Sequence, residues 1–185
     1  ALYTLGFNYP KREAFFSKEF ARFVYLANRE YWSYDSIKGS YAGAMGMGQF
    51  MPSAYIDYAV DFDGDGHINL FTDKEDAIGS VANYFKGHGW QTGRGICYGV
   101  HPHNANVDAL MKKQWDLTVE ELYASGATTK VNLSPNQKVR LFSYDLENGS
   151  KSYVVGLNNF NTIMRYNTSP LYARAVFELS EFIAI

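Results

Sequence analysis

The sequence predicts a mainly α fold interrupted twice, by an Asp/Gly loop of metal-binding pattern and by a small lobe containing a β-hairpin. Three observations carry this. Apolar residues recur at helical spacing near both ends and in the middle of the chain. Asp61-Phe62-Asp63-Gly64-Asp65-Gly66 sets carboxylates at alternate positions. Two strand-like runs, Lys138 to Tyr144 and Lys151 to Val155, flank Asn148-Gly149, a strong hairpin turn. The 185 residues, 46% apolar and 19% charged, can fill a sizeable core. A formal net charge of −2 lacks the footprint of a nucleic-acid binder. No apolar run approaches membrane-spanning length. Cys97 is the one cysteine, so an internal disulfide is impossible and no compartment follows from it. Aromatics reach 17%, which suits a core or a groove that stacks flat ligands.

In order, residues 1–9 read as the end of a helix, and the start at Ala1 without Met or signal-like segment suggests a processed or truncated piece. Beyond Pro10, Lys11 to Trp32 reads as a long helix with Phe16, Phe20, Phe23, Val24 and Ala27 on its apolar stripe. Glu13, Glu19 and Glu30 are expected to be solvated charges there. Residues 39–53 hold four glycines and three methionines, giving tight backbone approach with pliable filling, and Met45 and Met47 are expected in the core. Ser53 to Val60 makes a short helix. Thr72 with Glu75 has capping-box spacing for a helix over 73–86, with Ile78, Val81, Ala82 and Phe85 facing its core. Residues 91–106 read as loop, 106–114 and 118–124 as short helices. Ser169 caps a final helix with Pro170 at its first position and Leu171, Ala175, Val176, Leu179, Phe182 and Ile183 as its stripe.

The segment Asp61 to Ile68 fits the start of an EF-hand loop. Asp61, Asp63 and Asp65 occupy positions one, three and five, Gly66 turns at six, and His67 offers its main-chain oxygen at seven. Hard oxygen donors in a flexible ring suit Ca²⁺ better than Mg²⁺. Position twelve is Thr72 rather than Glu. Asp73, Glu75 and Asp76 follow, and Asp76 is the expected closing ligand of a structural site.

Gly43-Ala44-Met45-Gly46-Met47-Gly48-Gln49-Phe50-Met51-Pro52-Ser53 resembles the signature of goose-lysozyme-like lytic transglycosylases, in which a Gly-rich turn leads to Gln and then Pro. With Phe7-Asn8-Tyr9-Pro10, Tyr58-Ala59-Val60-Asp61, the Asp/Gly loop, Asp76 to Phe85, Gly156 to Phe160 and Arg165-Tyr166-Asn167, nearly the whole chain is similar to the membrane-bound lytic murein transglycosylase B family, least so over 91–137. The resemblance implies a lysozyme-like helical core. It divides the chain into a helical lobe at 1–39, a core with the calcium loop at 40–90, a small mixed/β lobe at 91–152 and a return to the core at 153–185.

It implies cleavage of the β-1,4 bond between N-acetylmuramic acid and N-acetylglucosamine in peptidoglycan without water. One Glu acts as acid and then base while the muramyl 6-hydroxyl closes a 1,6-anhydro ring. The family's Glu segment has no counterpart here and is expected upstream of Ala1, so the chain alone should be inactive. Carried over by position, Ser40, Gln49 and Tyr166 are candidate catalytic-site residues, with Ser40 evenly balanced against a loop-capping role. Phe50, Tyr84, Asn167 and Tyr172 are candidate sugar-binding residues, core packing being the alternative for Phe50 and Tyr84. The expected setting is the bacterial periplasm, as a monomer on peptidoglycan strands, with lipid anchoring of the full-length protein open. The competing reading is a calcium-stabilised, non-catalytic peptidoglycan-binding module. A calcium-responsive interaction domain is disfavoured, because there is one loop rather than a pair.

Overall fold

A computed structural model describes residues 1–184, which form two compact units divided between Gly87 and His88. The expected boundaries at 39/40 and 152/153 therefore fall inside units. Among the described residues helices dominate, with one small sheet.

The first unit is helical. Helix α1 (Leu2–Asn8) ends before a 3₁₀ turn at Pro10–Arg12, where proline supplies a preset φ but no N–H. Helix α2 (Glu13–Arg29) follows, then α3 (Pro52–Tyr58) and α4 (Lys74–Gly87). Helix α2 stops short of the expected Trp32, and Tyr31 takes a left-handed φ of 55° just past its end. Phe16, Leu26 and Ala27 are buried along α2.

Glu19 corrects the sequence reading. It is 1% exposed rather than solvated. One carboxylate oxygen pairs with the Arg22 guanidinium at 2.8 Å. The other accepts the Ser53 N–H at 2.9 Å, satisfying a free donor at the start of α3. Phe16 and Phe23 lie three residues before and four after Glu19, so the carboxylate sits on the apolar stripe.

Two apolar stripes are also placed differently. On α4 the buried residues are Asp76, Ala77, Gly79 and Ser80, while Ile78 is 70% exposed. The reason is close approach. A Cβ on Gly79 would lie 2.5 Å from the Phe62 ring, and the Ser80 hydroxyl accepts the Val60 N–H at 2.9 Å. The N-terminal cap of α4 is Asp73 rather than Thr72, its Oδ1 accepting the N–H groups of Glu75 and Asp76. On the final helix (Pro170–Ile183), Leu171, Leu179, Phe182 and Ile183 are exposed and Ala173 is the buried residue.

The second unit is built on an antiparallel sheet in the order β2-β4-β5-β1-β3. Its elements are β1 (Cys97–His101), α5 (Val107–Lys112), β2 (Leu117–Thr118), α6 (Val119–Ala124), β3 (Thr128–Thr129), β4 (Lys138–Asp145), β5 (Lys151–Gly156), α7 (Asn158–Tyr166) and α8 (Pro170–Ile183). Strand β1 lies where loop was expected. Gly99 interrupts its alternation, and pairing with β5 and β3 on either side stabilises it regardless. The β4–β5 hairpin forms as expected, with Gly149 at φ 78° and Leu146 accepting from and donating to the turn. Leu141 pairs with Val155 and, one step along, Phe142 pairs with Val154. Leu141 and Val155 join Leu110, Leu117, Val119, Leu122 and Val139 in one core, while Phe142 packs against Phe160 at 5.0 Å. A capping box at Thr118 and Glu121 starts α6, and the Ser169 hydroxyl accepts the Tyr172 N–H to start α8.

Glu19→Ala should destabilise the chain by about 1–3 kcal/mol, since the Ser53 N–H loses its acceptor in a buried place. Thermal melting checks this, and Glu19→Gln, which keeps an acceptor oxygen, should recover part of the loss. Equal melting of Glu19→Ala and wild type would show that the cap contributes nothing.

Candidate functional site

The Gly/Met-rich segment of the first unit folds into a compact double turn. Ser40 N–H donates to the Ala44 carbonyl at 2.8 Å, and Met45 and Phe50 exchange backbone hydrogen bonds at 2.8 and 2.9 Å. Gly46 takes φ 68°, and a Cβ there would meet the Leu70 carbonyl oxygen at 2.6 Å. That same oxygen accepts the Met47 N–H at 2.8 Å. The turn is thus docked on the end of the Asp/Gly loop, and only glycine permits the approach.

Gln49 is the apex. It is a non-glycine residue at φ 50°, a conformation that costs about 1 kcal/mol and persists only where surroundings impose it. Its N–H and its side-chain amide both donate to the Gly46 carbonyl at 3.0 Å. The side chain is exposed, and among the described residues nothing donates a hydrogen bond to its carbonyl oxygen. An exposed amide that retains acceptor capacity and a second N–H suits a ligand carrying both a donor and an acceptor.

Ser40 is half-buried, and its hydroxyl oxygen accepts the N–H groups of Ala42 and Ala44 at 3.3 and 3.1 Å. This favours the loop-capping role, with the hydroxyl proton still able to donate. Ser40 also lines a 260 Å³ cavity walled by Leu2, Tyr3, Phe20, Phe23 and Tyr34. Phe50 is 2% exposed, which favours core packing over the expected groove wall. Its ring lies 5.9 Å from that of half-buried Tyr84. Met45 is buried as expected, but Met47 is 47% exposed because the turn points it outward beside Ile78 and Val81.

Tyr166, Asn167 and Tyr172 belong to the second unit, at the junction of α7 and α8. Tyr166 ends α7 and is half-buried. Asn167 caps that helix, its N–H donating to Ile163 and its Oδ1 accepting the Ser169 N–H at 3.0 Å. Tyr172 is half-buried on the first turn of α8. Ser40, Gln49, Phe50 and Tyr84 are all carried by the first unit.

The Asp/Gly loop turns on its own carboxylates. Asp61 accepts the N–H groups of Gly64 and Gly66 at 2.7 and 2.9 Å, and Asp63 accepts that of Asp65 at 3.1 Å. Asp76 is buried and bridges the loop, Oδ1 accepting the Phe62 N–H and Oδ2 the Asn69 N–H, each at 2.7 Å. Oxygen atoms of Asp61, Asp63 and Asp76 lie within 4.8 Å of one another. Asp65 stands apart from this trio and accepts the His67 N–H at 2.8 Å. Hydrogen bonds, above all from the Gly66 N–H, hold the Asp61 carboxyl below its ordinary pKa. At Asp63 the Asp65 N–H also pulls the value down, but partial desolvation, repulsion by Asp65 and Asp73, and the contact with Asp61 together push it up. Such a cluster accommodates a hard divalent cation.

Cys97 lies in β1 rather than in a loop, and burial pushes its thiol up to about 12, so it is no nucleophile. His103 reaches Thr128 Oγ1 at 3.1 Å and takes no part in a metal cluster among the described residues. Sequence reasoning missed the Leu70 carbonyl, which carries the Gln49 turn and has no side-chain signal. It also missed Glu19, whose signal was a carboxylate at helical spacing from Phe16 and Phe23.

Comparison with known proteins covers the whole fold. The family described as transglycosylase SLT domain matches residues 1–181. Membrane-bound lytic murein transglycosylase B of Escherichia coli (strain K12) is 46% identical over 185 residues, which are 100% of this chain and 50% of that protein. The chain therefore spans about half the length of this curated relative. The Escherichia coli lytic transglycosylase Slt35 in complex with calcium matches at TM-score 0.89 and 45% identity, over 99% of this chain and 57% of that one. SltB3 from Pseudomonas aeruginosa in complex with NAG-NAM-pentapeptide matches at TM-score 0.81 and 28% identity, over 95% of this chain and 47% of that one.

Proposed function

The chain belongs to the transglycosylase SLT domain family, and from that premise we propose that it forms the glycan-binding part of a lytic murein transglycosylase. The observation that carries this reading is the likeness running the length of the chain, with the family's Gly-rich signature folded around a strained, exposed Gln49. The substrate is peptidoglycan in the bacterial periplasm. Among the described residues no helix is long and apolar enough to cross a membrane.

In the proposed reaction a carboxylic acid protonates the glycosidic oxygen between N-acetylmuramic acid and N-acetylglucosamine. The bond from the muramyl anomeric carbon to that oxygen breaks, and N-acetylglucosamine leaves with the acid's proton on its 4-hydroxyl. The muramyl 6-hydroxyl bonds to the anomeric carbon, its proton returns to the carboxylate, and a 1,6-anhydro ring forms with no water consumed. One carboxylate suffices because the nucleophile is the substrate's own hydroxyl, whereas ordinary glycosidases use a pair. Gln49 binds an N-acetyl group, whose carbonyl and N–H match its amide. Tyr166, Asn167 and Tyr172 contribute hydroxyl, amide and ring contacts to sugars.

We place the acid outside these 185 residues. Glu19 is occupied by Ser53 and Arg22, Asp76 by two backbone N–H groups, and Glu30 by Arg29 at 2.5 Å. Glu13 is exposed on the first turn of α2 and has no apolar pocket to keep it protonated.

Asp61, Asp63 and Asp76 fit a structural Ca²⁺, with Asp65 and the His67 main-chain oxygen as the proposed further ligands. The cation would neutralise the repulsion between these carboxylates. Because Asp76 already ties Phe62 to Asn69, the loop has a cation-independent frame to build on.

Ca²⁺ should raise the melting temperature, adding about 2.7 kcal/mol at a hundredfold excess over Kd. Asp63→Asn should lose most of that gain. Identical melting in Ca²⁺ and in chelator would exclude the site. Gln49→Ala should weaken binding of N-acetylated glycan oligomers by about 0.5–1.5 kcal/mol with little change in stability, read by calorimetric titration beside a melt. Unchanged affinity with a large stability loss would make the residue structural.

The 185-residue chain alone should release no 1,6-anhydromuropeptides from purified sacculi, measured by chromatography, while still binding glycan. Clear turnover would place the acid within the chain and turn attention to Glu13, Glu19 and Glu30.

A further inference from the structure

We propose that the polar cleft beside Arg94 in the second unit is a carboxylate-binding subsite that reads the peptide stems of murein. The cleft has a volume of 720 Å³ and is lined by Gln91, Arg94, Asn132, Ser134, Gln137 and Asn158 among others, with no acidic residue. An adjoining cleft of 660 Å³ shares Tyr98 and Val131 with it and adds His101, Lys130 and Lys151, again without an acidic lining residue. Lys151 is partly engaged by exposed Asp145 at 3.2 Å. In a chain of net charge −2, this face reverses the overall sign.

The position of Arg94 is built. Its N–H donates to the Gln91 carbonyl at 3.1 Å, closing a turn in which Gly93 takes φ 74°. Asn159, fully buried, clamps that turn from beneath. Its amide accepts the Gln91 N–H at 2.8 Å and donates to the carbonyls of Gln91 and Arg94 at 2.9 and 3.0 Å. Asn158 holds the Gly89 carbonyl at 2.7 Å on the same approach. The backbone that presents Arg94 is therefore fixed in advance, which lowers the cost of ordering on binding. The guanidinium itself is exposed and makes no hydrogen bond or ion pair among the described residues. Its planar fork is the group that accommodates a carboxylate through two parallel hydrogen bonds.

This inference rests on the murein reading above and specifies it. N-acetylglucosamine is neutral, and the lactyl carboxyl of N-acetylmuramic acid is consumed in an amide wherever a stem is attached, so a cation gains little from the sugars of a stem-bearing strand. In a stem-bearing strand the carboxylates sit on the peptide stems, and a guanidinium among amides and hydroxyls distinguishes such a strand from a glycan without carboxylates.

The test compares binding of wild type, Arg94→Ala and Arg94→Lys to three probes: murein oligomers with their stems, the same oligomers stripped by an amidase with the freed lactyl carboxyls capped as methylamides, and the free stem peptide. Wild type should prefer stem-bearing over stripped strands by about fivefold, as expected for one exposed charge pair. Arg94→Ala should bind both strands alike, at the wild-type affinity for stripped ones, and Arg94→Lys should recover only part of the preference. Affinity for stripped strands also serves as the folding control. Retention of the preference in Arg94→Ala, or its absence in wild type, would overturn the subsite. If wild type binds the free peptide through Arg94 but neither strand, the subsite stands and the glycan reading falls.

Discussion

One hydrogen bond joins the two loops on which the first unit depends: the Met47 N–H to the Leu70 carbonyl, 2.8 Å long. Leu70 is fully buried and follows Asn69, whose N–H is held by Asp76. Met47 lies two residues before Gln49. A buried carboxylate at the start of α4 is thus connected, through three short steps of backbone, to the exposed amide at the apex of the Gly-rich turn. The left-handed backbone of Gln49 persists because Gly46 and Leu70 leave the turn no other path. Strain at the exposed Gln49 and rigidity in the loop beneath it are two sides of one constraint.

Carboxylates do the structural work of this unit in an unusual degree. Glu19 caps α3 from α2, and Asp76 bridges both arms of the Asp/Gly loop. Each meets backbone N–H groups that would otherwise be unpaired away from water. The arrangement locates a negative charge where helix ends and turns present partial positive charge, so burial is tolerated. Asp61 and Asp63 are different. They are on the outer side of the loop, their oxygens converge with those of Asp76, and their opposite pKa displacements mark a cluster in which carboxylates compete for the same space. Carboxylates so placed could hold a metal ion.

The second unit uses amides where the first uses carboxylates. Asn159, buried at the start of α7, satisfies one N–H and two carbonyls of the 91–94 turn. An uncharged side chain with both donors and acceptor can close such a turn without leaving a charge to be neutralised. The turn's exterior is then free to carry Arg94.

Much of this was legible in the chain itself. Helical periodicity, the Asn148-Gly149 turn, the Ser169-Pro170 start and the spacing of Asp61, Asp63 and Asp65 are local features, set by neighbours within a few residues. The Gly43–Ser53 signature also pointed to the family. What failed did so for tertiary reasons. Strand β1 exists because β5 and β3 pair with it, not because its five residues prefer extension. The buried face of α4 is made of Ala77, Gly79 and Ser80, because Phe62 and Val60 approach too closely for Ile78 to fit, and apolar periodicity cannot register a face chosen for smallness. Glu19 looked like any helix charge until α3 supplied an N–H for it to accept. The sequence by itself determined which segments are helical and where the main turns fall. Only the tertiary structure decided which face of each helix is covered and which polar groups are buried in pairs, because those depend on contacts between residues far apart in the chain.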